Sequence, residues 1–279
     1  MRKDVSRHAP TYSLDAAQQD AGADSRRPFC LQRRWKIRCA LFLAKPGLLR
    51  LQLRFSLGLS MSHDQLAMQS YYGARAPEYD QVYLKPERQT DLAAIQSWLP
   101  PKFTDVKVLE IACGTGYWTQ FIAPVAAHVL ALDAAPETLA IARSRVPEAQ
   151  ATFLAGDAYA LPVHLGPFDA AFAGFWFSHV PKTRRREFFA GLSACLRPRA
   201  RVILLDNLYV EGSSSPITDQ DRDGNTFQTR RLADGSSYRV LKNFPSEVEL
   251  QESVAGFGEC CIFTRWQYYW AFEYVAVNP

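Results

Sequence analysis

From residue 105 to residue 207 the chain alternates short apolar runs with stretches whose apolar positions recur at helical spacing. "VKVLEIA" (106–112), "HVLALD" (128–133), "ATFLAGD" (151–157), "FDAAFAGFWF" (168–177) and "ARVILLDN" (200–207) hold few polar positions. That is the pattern of strands covered on both faces. Between them, "YWTQFIAPVA", "PETLAIARSRV" (136–146) and "TRRREFFAGLSACL" (183–196) read as helices, the second opening on a proline. Near the C-terminus, "SEVELQESVAGFG" (246–258) reads as a last helix stopped at glycine, and "ECCIFTRWQYYWAFEYVAV" (259–277) as two antiparallel strands. The pattern predicts an α/β, Rossmann-like fold. Its seven-stranded, mostly parallel sheet has helices on both faces and an antiparallel C-terminal strand pair.

Upstream, Asp64–Tyr71 and Pro86–Trp98 read as two helices, closed by Pro100 and Pro101. The stretch from Glu211 to Tyr238 is rich in Ser, Asp, Gly, Arg and Asn without a helical period. It reads as a long polar loop or lid, a small hairpin being the other reading. Three regions result: a basic leader over 1–60, a helical segment over 61–104, and a main domain over 105–279 with a polar insertion at 211–240. No internal repeat is present.

Charge separates the leader from the rest. Residues 1–60 carry 12 Lys+Arg against 4 Asp, which leaves 20 basic and 24 acidic residues beyond them. The main body is mildly acidic, so no nucleic-acid partner is expected. The leader is Arg- and Leu-rich, with no acid from Arg26 to Ser62. Disordered leader, targeting segment, or non-native sequence ahead of a true start at Met61 are its three readings. No apolar run approaches the roughly 20 residues that span a bilayer. The six cysteines form no CxxC pair and no metal-ligand spacing, which fits a reducing cytoplasm and gives no reason to expect a metal.

Candidate chemistry concentrates in "VLEIACGTGYWTQ" (108–120). A strand running into Gly-x-Gly lets backbone approach a ligand closely. A dinucleotide would want a third glycine for its pyrophosphate, and Thr119 stands at that position. S-adenosylmethionine (SAM) carries a sulfonium and an ammonium instead, and Glu110 puts an acid beside Gly114 and Gly116. Asp133 ends the next strand, where a carboxylate can accept both ribose hydroxyls of an adenosine. Asp157 ends the third, where it can accept from the adenine amino group while Ala158 offers its amide.

These motifs, taken in order, resemble the class I SAM-dependent methyltransferases. "VLEIACGTG" is similar to their first motif, "ALDAAPETLAIAR" to the second, "FLAGDA" to the third and "FDAAFAGF" to the fourth. "YYGARAPEYDQVY" resembles the N-terminal segment of small-molecule methyltransferases akin to those of quinone biosynthesis. The resemblance implies SAM as cofactor, contacted by Glu110, Ala112, Gly114, Gly116, Asp133, Ala134, Asp157 and Ala158. It also implies that residues 61–104 fold over the cofactor, so that Tyr72 or Arg75 could hold its methionine carboxylate; Tyr71 and Tyr79 share that segment.

His179 in "GFWFSHVP" follows the fourth strand, near where the methyl group should point. It is the candidate general base, its other reading being a loop histidine bonded to backbone. Phe175, Trp176 and Phe177 are candidate walls of an acceptor pocket. "AGFWF" replaces the Asn/Asp-Pro-Pro-Tyr motif of nucleobase amino methyltransferases, so a small-molecule acceptor is expected. A nicotinamide-dependent oxidoreductase and a noncatalytic adenosine-cofactor binding module are the alternatives. The sequence leaves the oligomeric state open.

Overall fold

The computed structural model describes residues 63–277. The predicted leader, 1–60, lies outside the described residues. In chain order the elements are α1 (His63–Arg75), α2 (Gln89–Trp98), β1 (Lys107–Ile111), α3 (Thr119–Ile122), β2 (His128–Asp133), α4 (Pro136–Arg145), β3 (Ala151–Ala155), β4 (Phe168–Gly174), α5 (Arg185–Ser193), β5 (Leu196–Asn207), β6 (Asp219–Gln220), β7 (Thr226–Arg231), β8 (Ser237–Leu241), α6 (Glu247–Val254), β9 (Gly258–Arg265) and β10 (Tyr269–Ala276). Two 3-10 stretches, Ala76–Tyr83 and Pro86–Arg88, link α1 to α2.

One sheet holds seven strands in the order β3-β2-β1-β4-β5-β10-β9. β1 to β5 pair in parallel, with Leu109 opposite Leu130 on one side and Ala171 on the other. β10 runs antiparallel between β5 and β9. The apolar runs follow from burial on both faces. Val108, Val129, Ala131, Phe172 and Ile203 pack into one cluster, while their neighbours Leu109, Leu130, Leu132, Ala171 and Val202 pack into the other. From β1 the chain winds outward to β2 and β3, then crosses back to β4. This reversal opens a crevice at the carboxyl ends of β1 and β4, where ligands bind in such sheets.

Several predicted elements differ in extent. The helix expected from Tyr117 shrinks to Thr119–Ile122, since Pro124 cannot supply a helical amide hydrogen. The helix expected over 183–196 spans Arg185–Ser193 after a 3-10 turn, and Leu196 already pairs with Phe168 in a β5 longer than predicted. α6 ends at Val254, with Gly256 at φ +85° in the turn beyond it.

The stretch 211–240 differs more. It contains β6 and β7 and the start of β8, which form an antiparallel sheet in the order β6-β7-β8 with Thr229 opposite Arg239. The turn holds Gly235 at φ +85°, and Asp234 Oδ1 accepts from the Ser236 amide at 2.8 Å. This small sheet packs on α1: Leu232 and Val240 are buried with Tyr71, with Tyr72 and Tyr238 against them.

Candidate active site

The crevice is lined by backbone in unusual conformations. Ala112, just past β1, has φ +54°, and Phe175, just past the neighbouring β4, has φ +59°. Left-handed backbone at an alanine and a phenylalanine is costly and concentrates where function requires it. Gly114 adopts φ +56° and lines the first cavity. Gly116, at φ +73°, does not: a Cβ there would lie 3.1 Å from the Ala142 Cβ. Gly116 therefore lets α4 pack against the loop, and Gly114 brings main chain to the cavity.

Asp133 ends β2 and ties three segments together. Its Oδ2 accepts from the Gly114 amide at 2.8 Å; its Oδ1 accepts from the Ala135 amide at 2.9 Å and the Thr138 hydroxyl at 3.0 Å. Burial pushes its carboxyl up, against the pull of these donors. Asp133 thus braces the turn into α4 and lines the cavity as well. Asp157, past β3, also lines it, with Oδ1 accepting from the Tyr159 amide at 3.0 Å. Ala112, Ala134, Ala158 and Tyr72 complete the predicted cofactor contacts found in this wall.

The first cavity has about 760 Å³ of empty space, open mouth included. Its walls are mostly apolar, with Leu132, Phe175 and Trp176 among them, and the indole Nε1 of Trp176 is buried without a hydrogen-bond partner. Among the described residues its only carboxylates are Asp133 and Asp157, and no Lys or Arg lines it. Two carboxylates without a cation suit a positively charged adenosine derivative and offer nothing to a pyrophosphate. The residues present fit SAM.

Three predicted contacts lie elsewhere. Glu110 shares the sheet face of Val108 and is buried, with Oε2 lacking a hydrogen-bond partner. Burial raises its carboxyl to about 8, opposed by the nearby Thr119 hydroxyl. It sits beneath the loop because strand alternation turns residue 110 away from the face used by 109 and 111. Gly116 lies on the loop's packing side, as above. Arg75 lines a second cavity, with its guanidinium 5.3 Å from the Tyr79 ring centroid.

His179 is buried between the two cavities. Its Nδ1 lies 2.5 Å from the Leu241 carbonyl oxygen, so Nδ1 carries the proton. Nε2 then accepts from the Tyr72 hydroxyl at 2.8 Å. Burial, with Lys242 and Arg230 nearby, holds the imidazole well below its usual range. Burial raises Tyr72 to about 12. Both side chains are neutral at pH 7. Beside them the Lys242 ammonium donates to Ser178 Oγ at 2.6 Å and to Asp206 Oδ1 at 2.7 Å. Burial pushes Asp206 up, but Lys242 and the donors around the carboxylate together hold it below its ordinary value.

The second cavity, about 1230 Å³ by the same measure, shares a wall with the first: Tyr72, Tyr79, Phe175 and His179 line both. Much of the rest comes from the 211–240 stretch and the linker after α1, through Ser213, Arg230, Lys85 and Arg88. Sequence reading missed these four and Lys242. The Asp-Gly pair in "LADGSS" was the available hairpin signal. Met68 and Thr138, in the first cavity, gave no such signal.

Comparison with known proteins agrees with this geometry. A family model described as "Methyltransferase domain" matches residues 108–199. Among solved structures, a DhpI–SAH complex superposes with a TM-score of 0.65 at 28% identity, covering 78% of this chain and 100% of that one. An uncharacterized methyltransferase of Synechocystis is 33% identical over 100 residues, 36% of this chain and 46% of that protein. A demethylmenaquinone methyltransferase of Lactococcus lactis is 31% identical over 115 residues, 38% of this chain and 44% of that protein. The match thus spans less than half the length of these curated relatives. With its motifs, sheet order and cavity in agreement, residues 108–199 form a methyltransferase domain, with SAM as its cofactor.

Proposed function

We propose that the protein transfers a methyl group from SAM, held in the first cavity, to a small-molecule acceptor in the second. The observation that carries this reading is the shared wall of Tyr72, Tyr79, Phe175 and His179. A ligand on each side of it would meet where the chain brings an aromatic box and one imidazole together.

In this reading Asp133 accepts the ribose hydroxyls, and Asp157 with the Ala158 amide reads the adenine. Ala112, Gly114 and Ala134 give close main-chain approach, and Tyr72 covers the methionyl portion. Glu110 and Gly116 support the loop from behind, and Arg75 acts from the acceptor side. The cofactor supplies an electrophilic methyl on a good leaving group. The chain's work is to align the acceptor and exclude water, which buried Phe175 and Tyr83 favour. His179 offers an unprotonated Nε2 on the shared wall. There it takes a proton from an acceptor hydroxyl, directly or through Tyr72.

Among the described residues no helix is long and apolar enough to cross a membrane. A cytoplasmic setting is part of the proposal, supported by the free thiols of Cys113, Cys195, Cys260 and Cys261. The test is incubation with methyl-labelled SAM and a small-metabolite extract. The label is expected in a low-mass product, and less of it with Asp133→Ala. Label found only in macromolecules, or nowhere, would overturn the proposal.

A further inference from the structure

The charge of the two cavities is opposite. Among the described residues the first is lined by two carboxylates and no Lys or Arg, whereas Arg75, Lys85, Arg88, Arg230, Arg231 and Lys242 line the second, against Glu78 alone. Lys242 is already matched by Asp206. Among the described residues no carboxylate forms an ion pair with Arg75, Lys85, Arg88 or Arg230.

The partners these cations do have are neutral. Arg88 is buried, yet donates to Asn207 Oδ1 at 2.8 Å and Ser213 Oγ at 3.0 Å. Arg230 donates from Nη2 to Gln228 Oε1 at 2.8 Å, and its Nε is buried without a partner. Lys85 donates to the Ser213 carbonyl oxygen. Glu87, next in the chain to this group, is turned to the Ser213 hydroxyl at 2.7 Å. Gathering desolvated cations in one pocket is unfavourable unless something negative enters it. Burial and Arg88 accordingly lower the Lys85 ammonium.

We infer that the acceptor carries a compact oxyanion, a phosphoryl, phosphonate or carboxylate group, held in the second cavity by Arg230, Arg88 and Lys85. This deepens the proposed methyl transfer and rests on it. Guanidinium groups present paired N–H donors that match two oxygens of such a group, and Ser213 and Asn207 add neutral polar atoms around it. The anion would anchor the acceptor on the cationic side and leave its reacting atom at the wall of Tyr72 and His179. A carboxylate and a phosphoryl group share this chemistry and differ in charge.

Calorimetry on the full chain with inorganic phosphate, methylphosphonate, acetate and, as an uncharged control, methanol tests the inference. Each is titrated with and without saturating S-adenosylhomocysteine (SAH). At least one of the three anions should bind and methanol should not. Preference for phosphate and methylphosphonate would identify a phosphoryl or phosphonate acceptor, and preference for acetate a carboxylate. Arg230→Gln, and independently Lys85→Gln, should each weaken the anion about tenfold while leaving SAH affinity unchanged. The inference is overturned if no anion binds, if both variants bind anion like the parent, or if anion and SAH compete. Competition would assign the cations to the methionine carboxylate instead. Failure of SAH itself to bind would overturn the methyl-transfer reading, whereas loss of anion binding alone would overturn only this one.

Discussion

Two buried ionisable residues make opposite demands on pH. Glu110 is raised to about 8 against a reference of 4.5, so it is protonated in the fold at pH 7. Between those values the unfolded chain releases a proton that the folded chain keeps. The stability present below pH 4.5 is therefore lost as pH rises toward 8, by about 1.4 kcal/mol per pH unit at most. In the cofactor-free protein, Glu110→Gln should gain in urea midpoint over the parent as pH rises from 5 to 8. A pH-independent difference would mean that the carboxyl is ionised in place. His179 is depressed below its reference of 6.5, so its neutral form persists into mild acid and its stabilising share is lost as pH falls below that reference. With the acceptor in hand, kcat/KM should stay flat down to pH 6.5. His179→Asn should lower kcat by roughly 10²-fold or more with little change in cofactor affinity. An unchanged kcat would leave His179 as a loop residue bonded to backbone.

At the scale of elements, legibility followed burial. Strands covered on both faces, such as Leu109–Ile111 beside Leu130–Leu132, announce themselves as apolar runs. The β7–β8 hairpin does not, because Arg230, Arg231 and Arg239 break its alternation and its buried apolar residues split between two faces, Phe227 opposite Leu241 and Val240 opposite Gln228. The cofactor side of the site was therefore readable from strand-end acids and glycines. The acceptor side, built from this hairpin and the linker after α1, depends on tertiary contacts over more than a hundred residues, as between Arg88 and Asn207. Glu110 shows the converse limit, since a motif acid can stand in the right place and face the wrong way. α6 supplies a clean local test. Ser246 Oγ accepts from the Glu249 amide while Glu249 Oε2 accepts from the Ser246 amide at 2.9 Å, a reciprocal cap. Ser246→Ala should cost about 1 kcal/mol in equilibrium unfolding and leave SAH affinity unchanged. A loss of SAH affinity would couple α6 to a site it does not line.

Across the whole molecule the sheet's strand reversal sets two cavities of opposite charge side by side, joined at one aromatic and imidazole wall. Salt should therefore act unequally on them. Raising ionic strength from 0.05 to 0.5 M (roughly 14 to 4 Å in Debye length) should raise the acceptor KM several-fold. SAH affinity should barely move, since its cavity is mostly apolar. Equal sensitivity of both ligands would mean that they share the cationic side.

The most direct measurement is calorimetric titration of the full chain and of Asp133→Ala with SAM, SAH and NADH. Binding of SAM and SAH to the parent, a loss of about tenfold or more in the variant as ribose hydroxyls go unpaired, and no NADH binding are expected. NADH binding in place of SAM, or equal SAM affinity for parent and variant, would contradict the assignment of the first cavity.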